Sequence, residues 1–242
     1  MVLGAALVRR RRAFRALATP DFALLARIVR FALPNAATSF AAAAAFFFFV
    51  WATGRVSPVA LAVSNVCVCV NCFYYTLTSG LGSGVSALVG RFRGAENAAD
   101  VRNTVLRALL IDLMLFLAMA ALFFPCGGAL ADLFRGASSS FDTTEFRAVG
   151  TTLFRIVILA NVFETLQVTF CAALRGVGDT RYVLRATLVA ELAGWIPLIA
   201  LVLAIRPDIA LLWWTIVIWH GICAAFLVRR WLSGAWQQIR LI

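Results

Sequence analysis

The chain has 242 residues, of which 63% are apolar and 14% are charged, and its formal net charge at pH 7 is +11. Soluble domains carry about a quarter charged residues and at most about half apolar ones, so this composition excludes an ordinary soluble protein and indicates a membrane protein. All 22 basic residues are arginines in short clusters between apolar runs, which argues against nucleic-acid binding and for a membrane-topology signal.

The first segment, residues 1–23, is basic and is predicted to be a cytoplasmic, linker-like segment. Its four consecutive arginines at 9–12 follow a short apolar stretch, which is the reverse of the order in a signal peptide. An organelle transit peptide is an alternative, because the segment is rich in Arg and Ala and has no acidic residue before Asp21.

Six apolar stretches follow, each long enough to cross about 30 Å of hydrocarbon as a helix. They span about residues 24–52, 59–82, 105–126, 149–174, 183–205 and 209–228. We therefore predict an all-α membrane protein with one six-helix domain at residues 24–228 and a cytoplasmic tail at residues 229–242. The sequence leaves no room for a soluble domain and does not identify the membrane.

The arginines also predict the orientation of the helices. Of the 22 arginines, 17 lie before or at the start of the first helix, around the loops after the second and fourth helices, or after the last helix. Because cytoplasmic loops are rich in Lys and Arg, both termini are predicted to be cytoplasmic.

Two connections between the helices are longer than the others. Residues 83–103 are basic, and the glycines at 80, 82 and 84 around their start could end the second helix, so we predict an interfacial helix here. Residues 127–147 are predicted to form a polar external connection, with a short helix at 129–134. The six cysteines predict neither disulfides nor a metal site, because most lie in apolar stretches and their spacing fits no zinc pattern.

Two loop segments resemble the MATE family of transporters, whose name stands for multidrug and toxic compound extrusion. Residues 80–95, GLGSGVSALVGRFRGA, are followed by Glu96-Asn97 and Arg102 and are similar to the glycine-rich segment between helices two and three of a MATE lobe. Residues 173–181, ALRGVGDTR, are similar to the LRGxGDT loop between helices four and five of the carboxy-terminal lobe. Supporting matches are FALP at 31–34, GWIP at 194–197 and Arg230-Trp231. We expect Asp179 of the second motif to cap the fifth helix.

The resemblance implies a transporter of two six-helix lobes with a substrate cavity between them, of which this chain matches the second lobe. Residues 1–30 then resemble the linker between lobes. A second six-helix lobe is expected as a partner, either another copy of this chain or an amino-terminal half missing from a truncated gene product. The lipid bilayer and a small-molecule substrate are the other expected partners.

The function implied is multidrug efflux by antiport, in which organic cations or other amphipathic small molecules leave in exchange for H⁺ or Na⁺, without a cofactor. The sequence has no GxxxxGK[ST], HExxH or GxSxG motif, so no enzyme activity is predicted. One alternative is a flippase for lipid-linked sugars in the same superfamily, for which a basic cavity is expected. Another is a membrane remnant or scaffold that does not transport.

Glu164 is the main candidate for the coupling group. It lies about 16 Å along a helix from Arg175, near the bilayer midplane, and Asn161 and Gln167 lie three residues to either side. Ionisable groups at this depth are costly unless they have a role, so these three residues are predicted to line the cavity. Resemblance adds that some MATE transporters carry a cation-coupling carboxylate at a similar distance before the LRG turn. The alternative is a structural hydrogen bond from Glu164 to Asn65, Asn71 or a backbone carbonyl.

Three further residues are weaker candidates. Asp112 and Glu191 lie about two turns from the cytoplasmic ends of their helices, where Arg107 and Arg185 could reach them, so a paired boundary position is predicted for both. His220 is either a hydrogen-bonded structural residue or a proton sensor. The chain also departs from the family pattern, because Ala42 occupies the place of a carboxylate that several branches carry eight residues after the proline of the first helix.

Overall fold

The computed structural model describes residues 22–135 and 141–238, and this part of the chain is helical with no strand. Six long helices follow one another: α1 (Phe22–Val56), α2 (Pro58–Gly94), α3 (Ala98–Arg135), α4 (Thr143–Gly176), α5 (Thr180–Ile205) and α6 (Ile209–Leu232). A short 3₁₀ turn at Ala235–Gln238 ends the described part. Each long helix is apolar enough over sufficient length to cross a membrane. The predicted six-helix membrane fold is confirmed.

The predicted loop helices are wrong, because α2 and α3 are longer than the apolar stretches. The segment predicted as an interfacial helix is instead divided between α2, which continues through its glycines to Gly94, and α3, which begins at Ala98. Residues 129–134 belong to α3, which continues to Arg135. A glycine inside a helix costs only about 1 kcal/mol relative to alanine, which tertiary packing can offset.

The centre of the bundle is α4, which packs most extensively against α2, α3 and α6. Two apolar cores lie at the two ends of the bundle. One surrounds Phe49, Leu153 and Trp213, and the other surrounds Val89 and Leu174. By contrast, α3 is largely exposed along its apolar length, as expected for a helix that faces lipid or another lobe.

One end of the bundle carries the turns α2–α3 and α4–α5 together with the end of α6, and we call it the basic end. Its arginines include Arg91, Arg93, Arg175, Arg229 and Arg230. Here α2 and α4 approach so closely that a Cβ on Gly176 would stand 2.7 Å from the carbonyl oxygen of Ser86. Which side of the membrane this end faces stays a prediction. The arginine-rich start at residues 1–21 and the middle of the external connection at residues 136–140 lie outside the described part.

The LRGxGDT turn is fixed by contacts that differ from the expected helix cap. Asp179 makes no side-chain hydrogen bond to the first amides of α5. Its carboxylate instead accepts a hydrogen bond from Arg230 Nε at 2.8 Å, and Tyr182 donates to the carbonyl of Phe226 at 3.0 Å. The expected cap is wrong, because the buried carboxylate gains a charged partner on α6 that the capping position does not offer.

The segment after α6 folds back onto the basic end. Trp236 is 1% exposed and stacks on Trp231 at a ring-centroid distance of 4.7 Å. Arg93 of α2 donates to the carbonyl of Gln237 at 2.7 Å. The part of the predicted tail that the structure describes is therefore packed against the bundle.

Candidate functional site

Glu164 lies inside the bundle, on the side of α4 that faces α2. Its side chain is 3% exposed, and its Oε2 lies 3.4 Å from Nδ2 of Asn71, which donates to it. With its amide nitrogen turned toward these acceptors, Asn161 donates to Glu164 Oε2 at 3.0 Å and to Asn71 Oδ1 at 2.7 Å. We call these three residues, Glu164, Asn161 and Asn71, the Glu164 cluster.

No ion pair involves Glu164 among the residues that the structure describes. Its hydrogen-bonding partners are two neutral amides, which can donate to a carboxylate and can also accept from a protonated carboxyl group. The two amides can therefore hydrogen-bond the carboxyl group in either protonation state, but an amide that donates to the carboxylate must accept from the protonated acid.

A narrow apolar opening lies beside the cluster, between α2, α3 and α4. Asn71 and Asn161 are the two polar residues on its walls. The apolar lining consists of Val70, Phe116, Met119, Ala120, Phe123, Phe154, Val157 and Ile158. The opening has a volume of about 10 Å³, so in this arrangement of the helices it has room for about one water molecule beside the two amides.

Gln167 does not join the Glu164 cluster. Its Oε1 lies 2.6 Å from Nδ1 of His220 on α6. Residues three positions to either side of Glu164 point about 120° apart around a helix, so one reaches α2 and the other reaches α6. Of the residues predicted to line the cavity with Glu164, Asn161 thus bonds to it and Gln167 bonds to His220 instead, and Asn65 is exposed on α2.

Asp112 bonds to a threonine of α4 and not to an arginine. It is 1% exposed and its Oδ2 accepts a hydrogen bond from Thr169 of α4 at 2.5 Å. The predicted pairing with Arg107 is wrong, because α3 turns Asp112 inward against α4. Tyr74 of α2 similarly bonds Thr165 of α4 at 2.5 Å.

The hydroxyl residues Thr165 and Thr169 were not predicted as part of the site. Threonines inside an apolar helix are common and usually bond their own backbone, so each one alone carries little signal. The available signal was their spacing, because Asn161, Thr165 and Thr169 repeat every four residues and so lie on one face of α4.

Glu191 likewise lacks the arginine partner that the sequence predicts, within the described part of the chain. It is completely buried, and neither carboxyl oxygen has a hydrogen-bond partner in the described part of the chain. Arg185 is exposed and does not pair with it. No group of three or more His, Cys, Asp or Glu side chains that could hold a metal ion occurs in residues 22–135 and 141–238.

The family model and the solved structures that match this chain indicate the same family. The MatE family model matches residues 34–199 of this chain. No curated protein sequence matches it significantly. Among solved structures, the chain is similar to a multidrug resistance MATE family transporter in its outward-facing conformation, with TM-score 0.78 and 19% identity over 91% of this chain and 49% of that one.

Two further structures show the same fold. One is a MOP superfamily transporter from Pyrococcus furiosus, with TM-score 0.78 and 19% identity over 91% of this chain and 49% of that one. The other is the eukaryotic MATE transporter AtDTX14, with TM-score 0.74 and 23% identity over 90% of this chain and 48% of that one. The chain thus spans about half the length of the structures that it matches, as expected for one lobe.

Proposed function

The chain belongs to the MATE family of multi-pass membrane transporters, and we propose that it forms one lobe of a secondary antiporter. This antiporter exports organic cations or other amphipathic small molecules in exchange for H⁺ or Na⁺. The observation that carries the proposal is the Glu164 cluster, a buried carboxyl group in a membrane-spanning helix whose hydrogen-bond partners in the described part of the chain are neutral amides.

The chemistry of the cluster suits cation coupling. A carboxyl group inside a membrane helix is costly and usually marks an ion or proton pathway. Glu164 is held by amides of α2 and α4, so binding or release of a cation changes the contact between these two helices. Alternating access then follows when the two helix arrangements differ in their affinity for cargo.

The proposal includes a second six-helix lobe. The matched structures are about twice as long as this chain, which supports a cavity completed by another lobe. That lobe is either a second copy of the chain or an amino-terminal half.

Replacement of Glu164 by glutamine tests the proposal. Glu164→Gln keeps the shape and the hydrogen-bonding capacity of the side chain but fixes its charge at zero, so we expect gradient-driven export to be lost while insertion and folding persist. The measurement is export of a fluorescent organic cation from proteoliposomes under an imposed H⁺ or Na⁺ gradient.

Glu145→Gln is the matched control, because Glu145 is an exposed glutamate in the first turn of the same helix. It should transport at the rate of the unaltered chain. Export by Glu164→Gln at a normal rate with normal pH or sodium dependence would show that the carboxylate is structural.

A further inference from the structure

A second buried carboxyl group lies in a section of α5 with unusual helix geometry. The helix is π-helical over Val189–Trp195, and the amide of Ile196 donates to the carbonyl of Glu191, five residues earlier. Pro197 accounts for the change, because it has no N–H for the carbonyl of Ala193 and its ring would clash with that carbonyl in a regular α-helix. Single-turn π segments of this kind are frequent at functional sites.

Glu191 differs from the other buried acids in having no polar contact. Glu164 bonds to amides and Asp112 to Thr169, whereas both oxygens of Glu191 lack a hydrogen-bond partner. The side chain is 0% exposed and ranks among the largest fully buried side chains of the described part. It also lies apart from the Glu164 cluster, because its π segment packs against α1 and α6, whereas Glu164 bonds to Asn71 of α2.

Among the residues that the structure describes, the groups around Glu191 supply no counter-charge. The π segment packs against α1, α6 and the flanking parts of α5. On α6 the facing titratable group is the buried thiol of Cys223, and His220, one turn earlier, is bonded to Gln167. On α1 the titratable side chain that the structure describes is Arg55, in the last turn. The remaining titratable groups of α5, α6 and the turn between them are Arg181, Tyr182, Arg185, Arg206, Asp208, Arg229 and Arg230, and none bonds to Glu191.

Burying a carboxylate with no donor and no cation is strongly unfavourable, whereas a bound proton makes the group neutral. A metal ion would need more ligands than this site has in the described residues. We propose that Glu191 is a second proton-binding site of the lobe, separate from Glu164, and that it holds its proton while α5 has the packing seen here. Breaking the O–H bond passes the proton to water, which must first enter between α5 and α6.

The entry of water is opposed by an aromatic contact one turn further along α5. Trp195 stacks on Trp219 of α6 at 4.4 Å, donates to Thr215 Oγ1 at 3.0 Å and lies 5.8 Å from the ring of Phe49 on α1. Release of the proton therefore requires α5 to move against α1 and α6 at this stack. The two indole rings are natural reporters of that movement.

Infrared spectroscopy of the full chain in lipid nanodiscs at neutral pH tests the inference without any transport. We expect the spectrum of the unaltered chain minus that of Glu191→Gln to show one protonated carboxylic-acid C=O band, shifted in D₂O. Raising the pH should remove this band and change the tryptophan fluorescence together, and the fluorescence change should be lost in Glu191→Gln.

Glu164→Gln is the comparison variant, and it should keep the band assigned to Glu191. Because the readout is the protonation state of one residue, it is independent of whether the chain transports. A difference spectrum showing loss of an ionised carboxylate at neutral pH would overturn the inference. So would failure of Glu191→Gln to fold, since a neutral amide has the shape and the charge of the protonated acid.

Discussion

The hydrogen bond between Thr169 and Asp112 is the polar contact that joins α3 to α4 most directly in the described part of the chain. Asp112 Oδ1 has no partner, so Thr169 provides the one hydrogen bond of a buried carboxyl group. The bond is therefore important for the stability of the lobe, and its two partners are not equivalent when replaced.

Thr169→Val should destabilise the lobe more than Asp112→Asn. The valine leaves Asp112 buried with no partner, which typically costs about 1–3 kcal/mol, whereas an asparagine can still accept from Thr169. Thermal unfolding of the purified variants in detergent measures the difference. Equal unfolding temperatures for Thr169→Val and the unaltered chain would mean that the hydrogen bond does not contribute to the stability of the lobe.

At the scale of single residues, the distance from Arg175 predicts that Glu164 lies deep in α4, and the sequence also suggests Asn71 as one of its possible partners. The neighbours of Asp112 and Glu191 could not be predicted, because the rotation of α3 and α5 about their axes depends on packing and not on distance from the helix end. Apolar residues surround both acids on all sides in the sequence, so no hydrophobic face indicated which side turns inward.

The close contact of α2 with α4 at the basic end predicts opposite effects for two glycines. Gly176→Ala places a Cβ 2.7 Å from the Ser86 carbonyl and 2.9 Å from Val89 Cβ, so the helices must separate and the unfolding temperature should fall. Gly80→Ala has open space around its Cβ and adds helix propensity worth about 1 kcal/mol.

We therefore expect Gly80→Ala to unfold at the same or a higher temperature than the unaltered chain. Thermal unfolding of both glycine variants in detergent measures the two effects. A tolerated Gly176→Ala together with a destabilised Gly80→Ala would contradict the described helix contact.

Asp142 gives the start of α4 a pH-dependent cap. Hydrogen bonds from the backbone amides of Glu145 and Thr144 lower the pKa of this carboxyl group from its ordinary value of 3.8. Because the folded pKa is the lower one, the cap stabilises α4 above pH 3.8 and the contribution disappears as the pH falls through the folded value. Asp142→Ala should lower the unfolding temperature at pH 7 and have a progressively smaller effect in more acidic buffer.

The ends of the helices were harder to predict than their number. Glycines at 80, 82 and 84 indicated a helix end by their composition alone, yet α2 continues because its packing on α4 extends past them. The local sequence indicates the free-energy cost of placing glycines inside a helix, but it does not show the tertiary contacts that offset this cost. The six crossings, in contrast, could be predicted because apolar runs of this length are stable as helices inside the hydrocarbon core of a membrane.

The whole molecule should have its basic end in the cytoplasm. Single cysteines placed at Gly94, Gly178 and Gln237 are expected to react with an impermeant thiol reagent from the cytoplasmic side, as is one at Arg12. A cysteine at Ser139 should react from the opposite side. Labelling of Gly94 and Gly178 from different sides would contradict the described bundle, in which the two turns lie at one end.

Association of two copies can be tested with cysteines that the chain already has. Cys69 and Cys72 are exposed on α2, and Cys126 is exposed on α3. If two copies meet across α1 and α2, mild oxidation in native membranes should give a linked dimer that is lost in Cys69→Ala/Cys72→Ala and retained in Cys126→Ala. A strictly monomeric chain that still transports would contradict the two-lobe account.

Coupled export by the lobe pair is the central claim, and transport by the reconstituted chain measures it most directly. The chain alone and a tandem fusion of two copies are placed in proteoliposomes with a fluorescent organic cation and an imposed H⁺ or Na⁺ gradient. An even number of crossings lets both copies keep the same orientation in the fusion. We expect the cation to move opposite to the coupling ion in at least one of the two preparations, and to stop when an ionophore removes the gradient. Movement no faster than in protein-free liposomes, or movement that the ionophore does not change, would contradict the account.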